Sequence, residues 1–226
     1  MFAIYKRELR AYFTTAVGYV FLAVTVAFSL TTILQATNDV TTYFTVLLFI
    51  LMVALPVLTM KLFSEERKMR TEQLLLTAPV SIAKIVAAKF FAAFTVFFGA
   101  NLAYITLFIY SEPEGGIILG NIIAITLVGA SFIAVGIFVS SLTENQLAAA
   151  IGTFGILLAM LGVGLLSAVI PWYPVRYVLG WFSILTRYSN FTSGFFDFAA
   201  LFYYASVCFI FLFLTCRVLE RRRYSA

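Results

Sequence analysis

Residues 117–141 read IILGNIIAITLVGASFIAVGIFVSS, a run of 25 residues without a single charged side chain. A helix needs roughly 20 apolar residues to cross the hydrocarbon core of a bilayer. This stretch is therefore long enough and apolar enough to predict a membrane-spanning helix. Comparable stretches occur at residues 15–35, 42–61, 86–111, 148–170 and 199–216.

The composition of the whole chain is that of a membrane protein. Of its 226 residues, 63% are hydrophobic and only 11% are charged, whereas a soluble domain is usually about 25% charged. Six spans use up most of the chain and leave no room for a soluble domain. The sequence therefore predicts a single all-α transmembrane domain over residues 1–226, with six membrane-spanning helices.

The basic residues are divided unevenly between the two sides of this threading. If the N-terminus is cytoplasmic, only Arg176 and Arg187 of the 15 lysine and arginine residues lie outside. Lys89, near the start of the third span, counts among the inside residues, and no charged residue is expected deep in a span. An excess of basic residues in cytoplasmic loops is the rule for membrane proteins. The pattern predicts a multi-pass protein with both termini in the cytoplasm, and it accounts for the net charge without nucleic acid as a partner.

Residues 2–14 are amphipathic, because apolar and charged residues recur there at helical spacing. The pattern predicts a helix that lies in the membrane interface with its apolar face down. The alternative is an ordinary basic flank of the first span. The apolar residues are Phe2, Tyr5, Leu9, Tyr12 and Phe13, and the charged residues between them are Lys6, Arg7, Glu8 and Arg10.

The connection between the fifth and sixth spans, residues 171–198, is long and rich in aromatic residues. Tyrosine and tryptophan prefer the headgroup level of a membrane, so we expect a hairpin of short helices in the outer leaflet. A seventh span is an alternative, but it would put the arginine-rich C-terminus outside; a soluble extracellular loop is the other. The aromatic residues predicted to mark the hairpin include Trp172, Tyr173, Trp181 and Phe182.

Small residues stand four apart in the fourth and fifth spans, a spacing that lets helix backbones approach closely. Two interpretations stay open: a dimer seam or moving pore helix, or ordinary packing within the chain. Pro56 is placed to kink the second span. The small pairs are Gly136 with Ser140, Ala148 with Gly152, and Gly155 with Ala159.

The most polar connection covers residues 64–79, between the second and third spans. Ser64 is an N-cap candidate followed by two acids, which is typical of a helix start, and Pro79 is typical of its end. The leucines at 74–76 lie outside the predicted spans and need a partner or the interface. The segment is either a docking helix for a soluble subunit or a basic loop lying on anionic lipid.

No motif in the sequence indicates catalysis or a bound cofactor. A phosphate-binding loop of the form G-x-x-x-x-G-K-[ST] is absent, and a chain without histidine has no histidine-assisted nucleophile. Cys208 and Cys216 share the last span and are expected to be small packing residues. The sequence therefore predicts no enzyme, no catalytic residue, no metal ligand and no cofactor held by this chain.

Residues 66–81, ERKMRTEQLLLTAPVS, resemble the segment after the second span in ABC-2 type permeases, and are most similar to the gliding-motility-associated subgroup. The resemblance runs along the whole chain in the family's order and agrees with the six-span plan. This sequence departs from the family at Arg70, where members often have glycine, and at Gln73, where they often have glutamate. The other similar stretches are residues 5–10, 140–146 and 217–222.

The resemblance implies the permease half of an ATP-driven exporter in the bacterial inner membrane. Two permease protomers, identical or different, would couple to separate cytoplasmic ATPases, which hold ATP and Mg²⁺, and an extracytoplasmic accessory subunit could join them. Residues 2–14 would be the interfacial connecting helix and residues 171–198 the outer hairpin. The coupling helix seated in the ATPase is implied to use Glu65, Glu66, Arg67, Arg70, Thr71, Leu74, Leu75 and Leu76.

Two other functions stay open at this point. The first is an ATPase-linked membrane anchor of a motility or secretion complex, which predicts ATP hydrolysis without solute transport. The second is an independent channel or secondary transporter, which predicts function without any ATPase. The sequence does not identify a transported substrate under any of these hypotheses.

Overall fold

The structure is a computed structural model that describes residues 1–35, 40–71, 80–108, 115–184, 187–188 and 198–225. Within these ranges, all secondary-structure elements with defined ends are helices. In chain order they are α1 (Phe2–Thr14), α2 (Ala16–Gln35), α3 (Val40–Thr59), α4 (Lys61–Lys68), α5 (Ile82–Phe108), α6 (Gly115–Leu142), α7 (Gln146–Val169), α8 (Tyr173–Phe182) and α9 (Phe198–Ser225).

Five helical stretches within the described ranges are long and apolar enough to cross a membrane. A sixth candidate, α1 together with the Ala16–Phe28 part of α2, passes the same test only as a pair bent by 69°. The prediction of an all-helical protein with several helices able to span a membrane is therefore confirmed, with five or six such helices within the described ranges. The five stretches are Thr42–Lys68, Ile82–Leu102, Gly120–Leu142, Gln146–Ser167 and Phe198–Arg223.

The chain bends sharply between α1 and α2, at Thr15. This residue has an extended backbone, with φ −105° and ψ 158°, and its hydroxyl donates to the carbonyl of Ala11 at 2.9 Å. A Cβ atom at Gly18 would lie 2.5 Å from the carbonyl oxygen of Tyr12, so only glycine allows this close approach. Residues 2–14 therefore form a helix of their own, angled to the helix that follows.

The core lies along α6, which packs against α3, α5 and α9, and the buried residues there are almost all apolar. Phe97 of α5 is fully buried, and its ring fills the space that a Cβ atom at Gly129 of α6 would occupy, 2.1 Å from Cζ. By contrast, α7 and α9 leave most of their apolar surface uncovered. In their most apolar stretches, 28% and 17% is buried, against 67% in α6. Such faces suit contact with lipid or with a second membrane protein.

One of the predicted small-residue pairs, Gly136 and Ser140, packs within the chain. A Cβ atom at Gly136 would lie 2.1 Å from Oγ1 of Thr59, so the contact between α6 and α3 leaves no room for a side chain here. Gly155 lies on an exposed part of α7, and a Cβ atom there would meet nothing within 4 Å. Both helices carry the same spacing of small residues. Only the structure shows that Gly136 is packed against another helix whereas Gly155 is open.

The hydroxyl of Ser140 enters the backbone hydrogen-bond ladder between α3 and α4. It accepts from the backbone N–H groups of Phe63 and Ser64 at 3.1 and 3.2 Å, and it donates to the carbonyl of Met60 at 3.0 Å. A side chain inserted in this way interrupts a helix locally, which explains the one-residue break between α3 and α4. Together, the two helices still form one helical stretch, Thr42–Lys68, that is long and apolar enough to cross a membrane.

The predicted outer hairpin is described only in part. Its first half forms α8, in which Trp172 and Tyr173 are 70% and 76% exposed at the helix start. Ten helical residues rise about 15 Å, roughly half of what a span needs, so α8 is not a seventh span. Residues 185–186 and 189–197 and the side chains of Trp181 and Phe182 lie outside the described part of the chain.

Candidate functional site

Four charged side chains meet where α1, α4 and the first turns of α5 come together. Arg7 and Glu8 come from α1, Glu66 from α4 and Lys89 from α5, and we call these four residues the ion cluster. Two cations and two carboxylates leave it neutral. The cluster links three helices that are far apart in the sequence.

Lys89 is the centre of the ion cluster and is 1% exposed. Its Nζ atom lies 3.2 Å from Oε1 of Glu8 and 3.0 Å from Oε1 of Glu66, and it donates to the carbonyl of Leu62 at 2.6 Å. The ammonium group, which has three donors, therefore has two carboxylate oxygens and one carbonyl oxygen within 3.2 Å. The Phe63 ring centroid, 4.9 Å from Nζ, adds a cation–π contact.

Arg7 closes the cluster from the solvent side, and its side chain is 56% exposed. Its Nη2 atom lies 2.6 Å from Oε1 of Glu8 and 2.8 Å from Oε1 of Glu66. Burial acts to lower the pKa of Arg7, but the hydrogen bonds and charges of the two carboxylates outweigh it and raise that pKa above its ordinary value. The guanidinium therefore stays charged, and each Oε1 atom is shared between two cations.

Tyr12 and Tyr5 add neutral hydrogen bonds to the same junction. The Tyr12 hydroxyl is buried and donates to the carbonyl of Leu58 at 3.2 Å. Burial, and to a smaller extent the negative charge of Glu8, raise the pKa of Tyr12 above its ordinary value, so the phenol remains a donor. The Tyr5 hydroxyl lies 3.0 Å from that of Thr95 on α5. These bonds hold α1 against α3 and α5.

A second ion pair joins the end of α4 to the connection between α6 and α7. Nε of Arg67 lies 2.9 Å from Oε1 of Glu144, and Nη1 donates to the carbonyl of Leu142 at 2.8 Å. Asn145 then caps α7 by accepting from the N–H of Leu147 at 3.0 Å. Because the Glu144 side chain is 61% exposed, this pair contributes less to stability than the buried cluster.

The prediction that Ser64 starts the charged helix is wrong. Ser64 is fully buried inside α4, its hydroxyl donates to the carbonyl of Met60, and Met60 is the N-cap. The helix that contains the predicted span 42–61 continues to Lys68. Local sequence suggested a cap, whereas packing of Leu62 and Phe63 into the core keeps the helix going.

The end of α4 forms a Schellman motif. The N–H of Thr71 donates to the carbonyl of Glu66 at 2.9 Å, and that of Arg70 donates to the carbonyl of Arg67 at 3.1 Å. Arg70 adopts a left-handed backbone with φ 57°, a conformation that favours glycine.

Replacing Arg70 with glycine is expected to raise the free energy of unfolding by about 0.5–1 kcal/mol, because glycine adopts the left-handed conformation without the steric cost that arginine meets. Lys68→Gly is the matched control. It lies two residues earlier with helical geometry, so it should lose about as much. Reversible unfolding in mixed micelles measures both, and a change of the same sign in the two variants would contradict the assignment.

The structure divides the predicted docking residues into two groups. Glu66 and Arg67 are engaged in ion pairs within the chain, and Glu65 is partly buried beside them. Arg70 and Thr71 are exposed after the end of α4. The leucines at 74–76 lie outside the described residues. Of the residues predicted for the interfacial helix, Lys6 and Arg10 are exposed and Tyr5, Arg7 and Glu8 contact other helices.

Lys89 and Tyr12 are the two site residues whose roles were not predicted. Lys89 was counted as a basic flank of the third span, yet apolar residues stand on both sides of it at 85–88 and 90–94. A lone lysine inside an apolar stretch indicates a buried charge with a partner, and that signal was present in the sequence. Its partners, Glu8 and Glu66, were not identifiable without the fold.

A cavity of about 330 Å³ lies beside the ion cluster, between α1, α4 and the start of α5. Charged residues of the cluster form one part of its wall, and apolar residues such as Ala11 and Val17 form another. Within the described residues, no group of three or more histidine, cysteine or acidic side chains is placed to hold a metal. The chemistry that this site offers is charge pairing and hydrogen bonding.

Comparison with known proteins identified no relative, since no protein-family model and no curated protein matches the chain.

Proposed function

We propose that this chain is the permease subunit of an ATP-driven exporter and that α4 receives movement from a separate cytoplasmic ATPase. The observation that supports this proposal most directly is the position of α4. It continues α3 beyond the core, it ends in the exposed residues Lys68, Met69, Arg70 and Thr71, and it is bonded to three other parts of the chain. A partner that displaces the exposed end would move these parts with it.

The bonds of α4 suggest how such movement would spread. The ion cluster connects α4 to α1 and α5, Ser140 connects it to α6, and Arg67 connects it to the loop between α6 and α7. Packed helices tend to move as rigid bodies between discrete arrangements. Lys89, Glu8 and Glu66 are largely buried, and a buried ion pair resists the loss of one partner. The cluster would therefore keep α1, α4 and α5 together during such a movement.

The membrane arrangement follows from the distribution of charge. With both termini in the cytoplasm, the end of α4 and the ion cluster face the compartment where an ATPase would be found, in keeping with the excess of basic residues there. In this proposal the membrane is the bacterial inner membrane, a second permease protomer covers part of the uncovered apolar surface, and ATP and Mg²⁺ belong to the partner. An extracytoplasmic accessory subunit is part of the proposal, and the substrate is not assigned.

The test is recovery of the partner with the tagged protein in gentle detergent, followed by mass spectrometry. We expect an ABC ATPase with the wild type and at least a tenfold loss with Lys68→Glu/Arg70→Glu, which reverses two exposed charges at the end of α4. Lys84→Glu is the control, because Lys84 is exposed at the start of α5 and should leave recovery unchanged. Equal recovery with all three proteins would place the contact elsewhere.

The same complex distinguishes the remaining functions. ATP hydrolysis in liposomes without transport of any substrate from a broad panel would support the membrane-anchor alternative. A folded wild type that never recovers an ATPase would contradict the proposal and support a channel or secondary transporter.

A further inference from the structure

Glu66, which lines the cavity beside the ion cluster, has a carboxylate oxygen that the protein leaves unused. Oε1 of Glu66 is shared by Arg7 and Lys89, but Oε2 is buried and accepts no hydrogen bond from any residue that the structure describes. A buried carboxylate oxygen without a donor is destabilising. Glu66 lines the cavity, so a small rotation of its carboxylate would bring Oε2 to a ligand there, and an N–H donor on that ligand would remove this penalty.

The same cavity also contains an uncommitted cation. Lys61, the first residue of α4, lines the cavity and forms no ion pair with any residue in the described ranges. Arg7 lines it as well, with a side chain that is 56% exposed. Arginine and lysine are the usual binding groups for a phosphate ester. The cavity therefore offers a site for an anion and an acceptor for an ammonium group.

Another part of the wall is apolar and lies at the bend between α1 and α2. Ala11, Tyr12 and Val17 contribute to it, and Thr15 marks the bend itself. An angled amphipathic helix followed by a span is typical of the membrane interface, so the cavity lies at the level of lipid headgroups. Its volume of about 330 Å³ is at the lower end of the range for ligand pockets, which suits a headgroup rather than a whole lipid.

We propose that this cavity binds the headgroup of an aminophospholipid from the adjoining leaflet. The primary ammonium donates to Oε2 of Glu66, the phosphate is held by Lys61 and Arg7, and the glycerol end contacts the apolar wall. The inference is independent of the ATPase, because every group that it uses belongs to this chain and to the membrane.

A methylation series tests the proposal on the wild-type protein. Binding of phosphatidylethanolamine, its N-methyl and N,N-dimethyl derivatives and phosphatidylcholine, all with the same acyl chains, is measured by native mass spectrometry of detergent-solubilised protein. The first three lipids keep an N–H donor, and choline has none. We expect the first three to bind similarly and phosphatidylcholine to bind about tenfold more weakly.

Two further results would overturn the proposal. If phosphatidylcholine binds as tightly as phosphatidylethanolamine, the Glu66 contact does not exist. If soluble glycerophosphoethanolamine displaces the lipid at equal concentration, the ligand comes from solution and not from the membrane.

Substitutions separate the two halves of the headgroup site. Lys61→Met should weaken the ethanolamine and choline lipids alike, because both carry the phosphate, whereas the exposed control Lys84→Met should weaken neither. Glu66→Gln should remove the preference for ethanolamine over choline. If Glu66→Gln fails to fold, Lys61→Met and the wild-type series still decide the question, and an unchanged affinity in Lys61→Met would contradict the phosphate contact.

Discussion

Replacing Lys89 with methionine is expected to lower the free energy of unfolding by about 3–5 kcal/mol, the loss typical when one partner of a buried ion pair is removed. Methionine keeps most of the length and the apolar stem. The substitution leaves Glu8 and Glu66 close together with Arg7 as the one cation paired with them among the described residues, and it leaves the carbonyl of Leu62 without its 2.6 Å donor. The measurement is reversible unfolding in mixed micelles, followed by circular dichroism.

Lys84→Met is the matched control for this prediction. Lys84 lies five residues earlier on α5 and is exposed, so its loss should change stability by no more than about 0.5 kcal/mol. Adding Glu8→Gln to Lys89→Met makes the cluster neutral again and should recover part of the loss, with a coupling energy of about 0.5–3 kcal/mol. Equal effects of the two lysine substitutions would show that Lys89 is not a buried charge.

Replacing Gly136 with valine is expected to destabilise the protein by about 3 kcal/mol, toward the upper end of the range for overpacked cores. A Cβ atom there would lie 2.1 Å from Oγ1 and 2.8 Å from Cβ of Thr59. Thr59 is fully buried and its hydroxyl donates to the carbonyl of Leu55 at 2.9 Å, so it cannot rotate away without a further loss. Relief requires α6 to move from α3, which also strains the bonds of Ser140.

Gly155→Val is the control for this second prediction, because it makes the same change in a span with open space around it. Nothing lies within 4 Å of a Cβ atom at Gly155, and valine has a better helix propensity than glycine. We expect a neutral or slightly stabilising effect in the same unfolding assay. A similar destabilisation in both variants would mean that glycine at these positions acts through the backbone and not through packing.

The sequence predicted the framework because a membrane imposes a simple length rule. An uncharged run such as 117–141 must become a helix of about the thickness of the bilayer, whatever it packs against. The described helices follow the predicted stretches closely, with α6 at Gly115–Leu142 and α7 at Gln146–Val169. The amphipathic spacing of residues 2–14 also predicted a separate helix, because it depends only on neighbours along the chain.

The helix that follows the second span was predicted less well. Ser64, Glu65 and Glu66 resemble a helix start in isolation, yet the core packing of Leu62 and Phe63 carries the preceding helix through them. Capping signals are local, and tertiary contacts override them when apolar residues nearby are buried. The left-handed backbone conformation of Arg70 was likewise not predictable from the sequence, because arginine rarely adopts that conformation.

The sequence by itself determined that this chain is a helical membrane protein, where its helices lie, and where its charges stand along the chain. Only the tertiary structure decided which charges meet, so that Lys89 joins Glu8 and Glu66 from two other helices, and which glycine is packed, so that Gly136 contacts Thr59 while Gly155 stays open. Periodicity shows which face of a helix is apolar or small. The partner of that face is set by how all the helices fill space together.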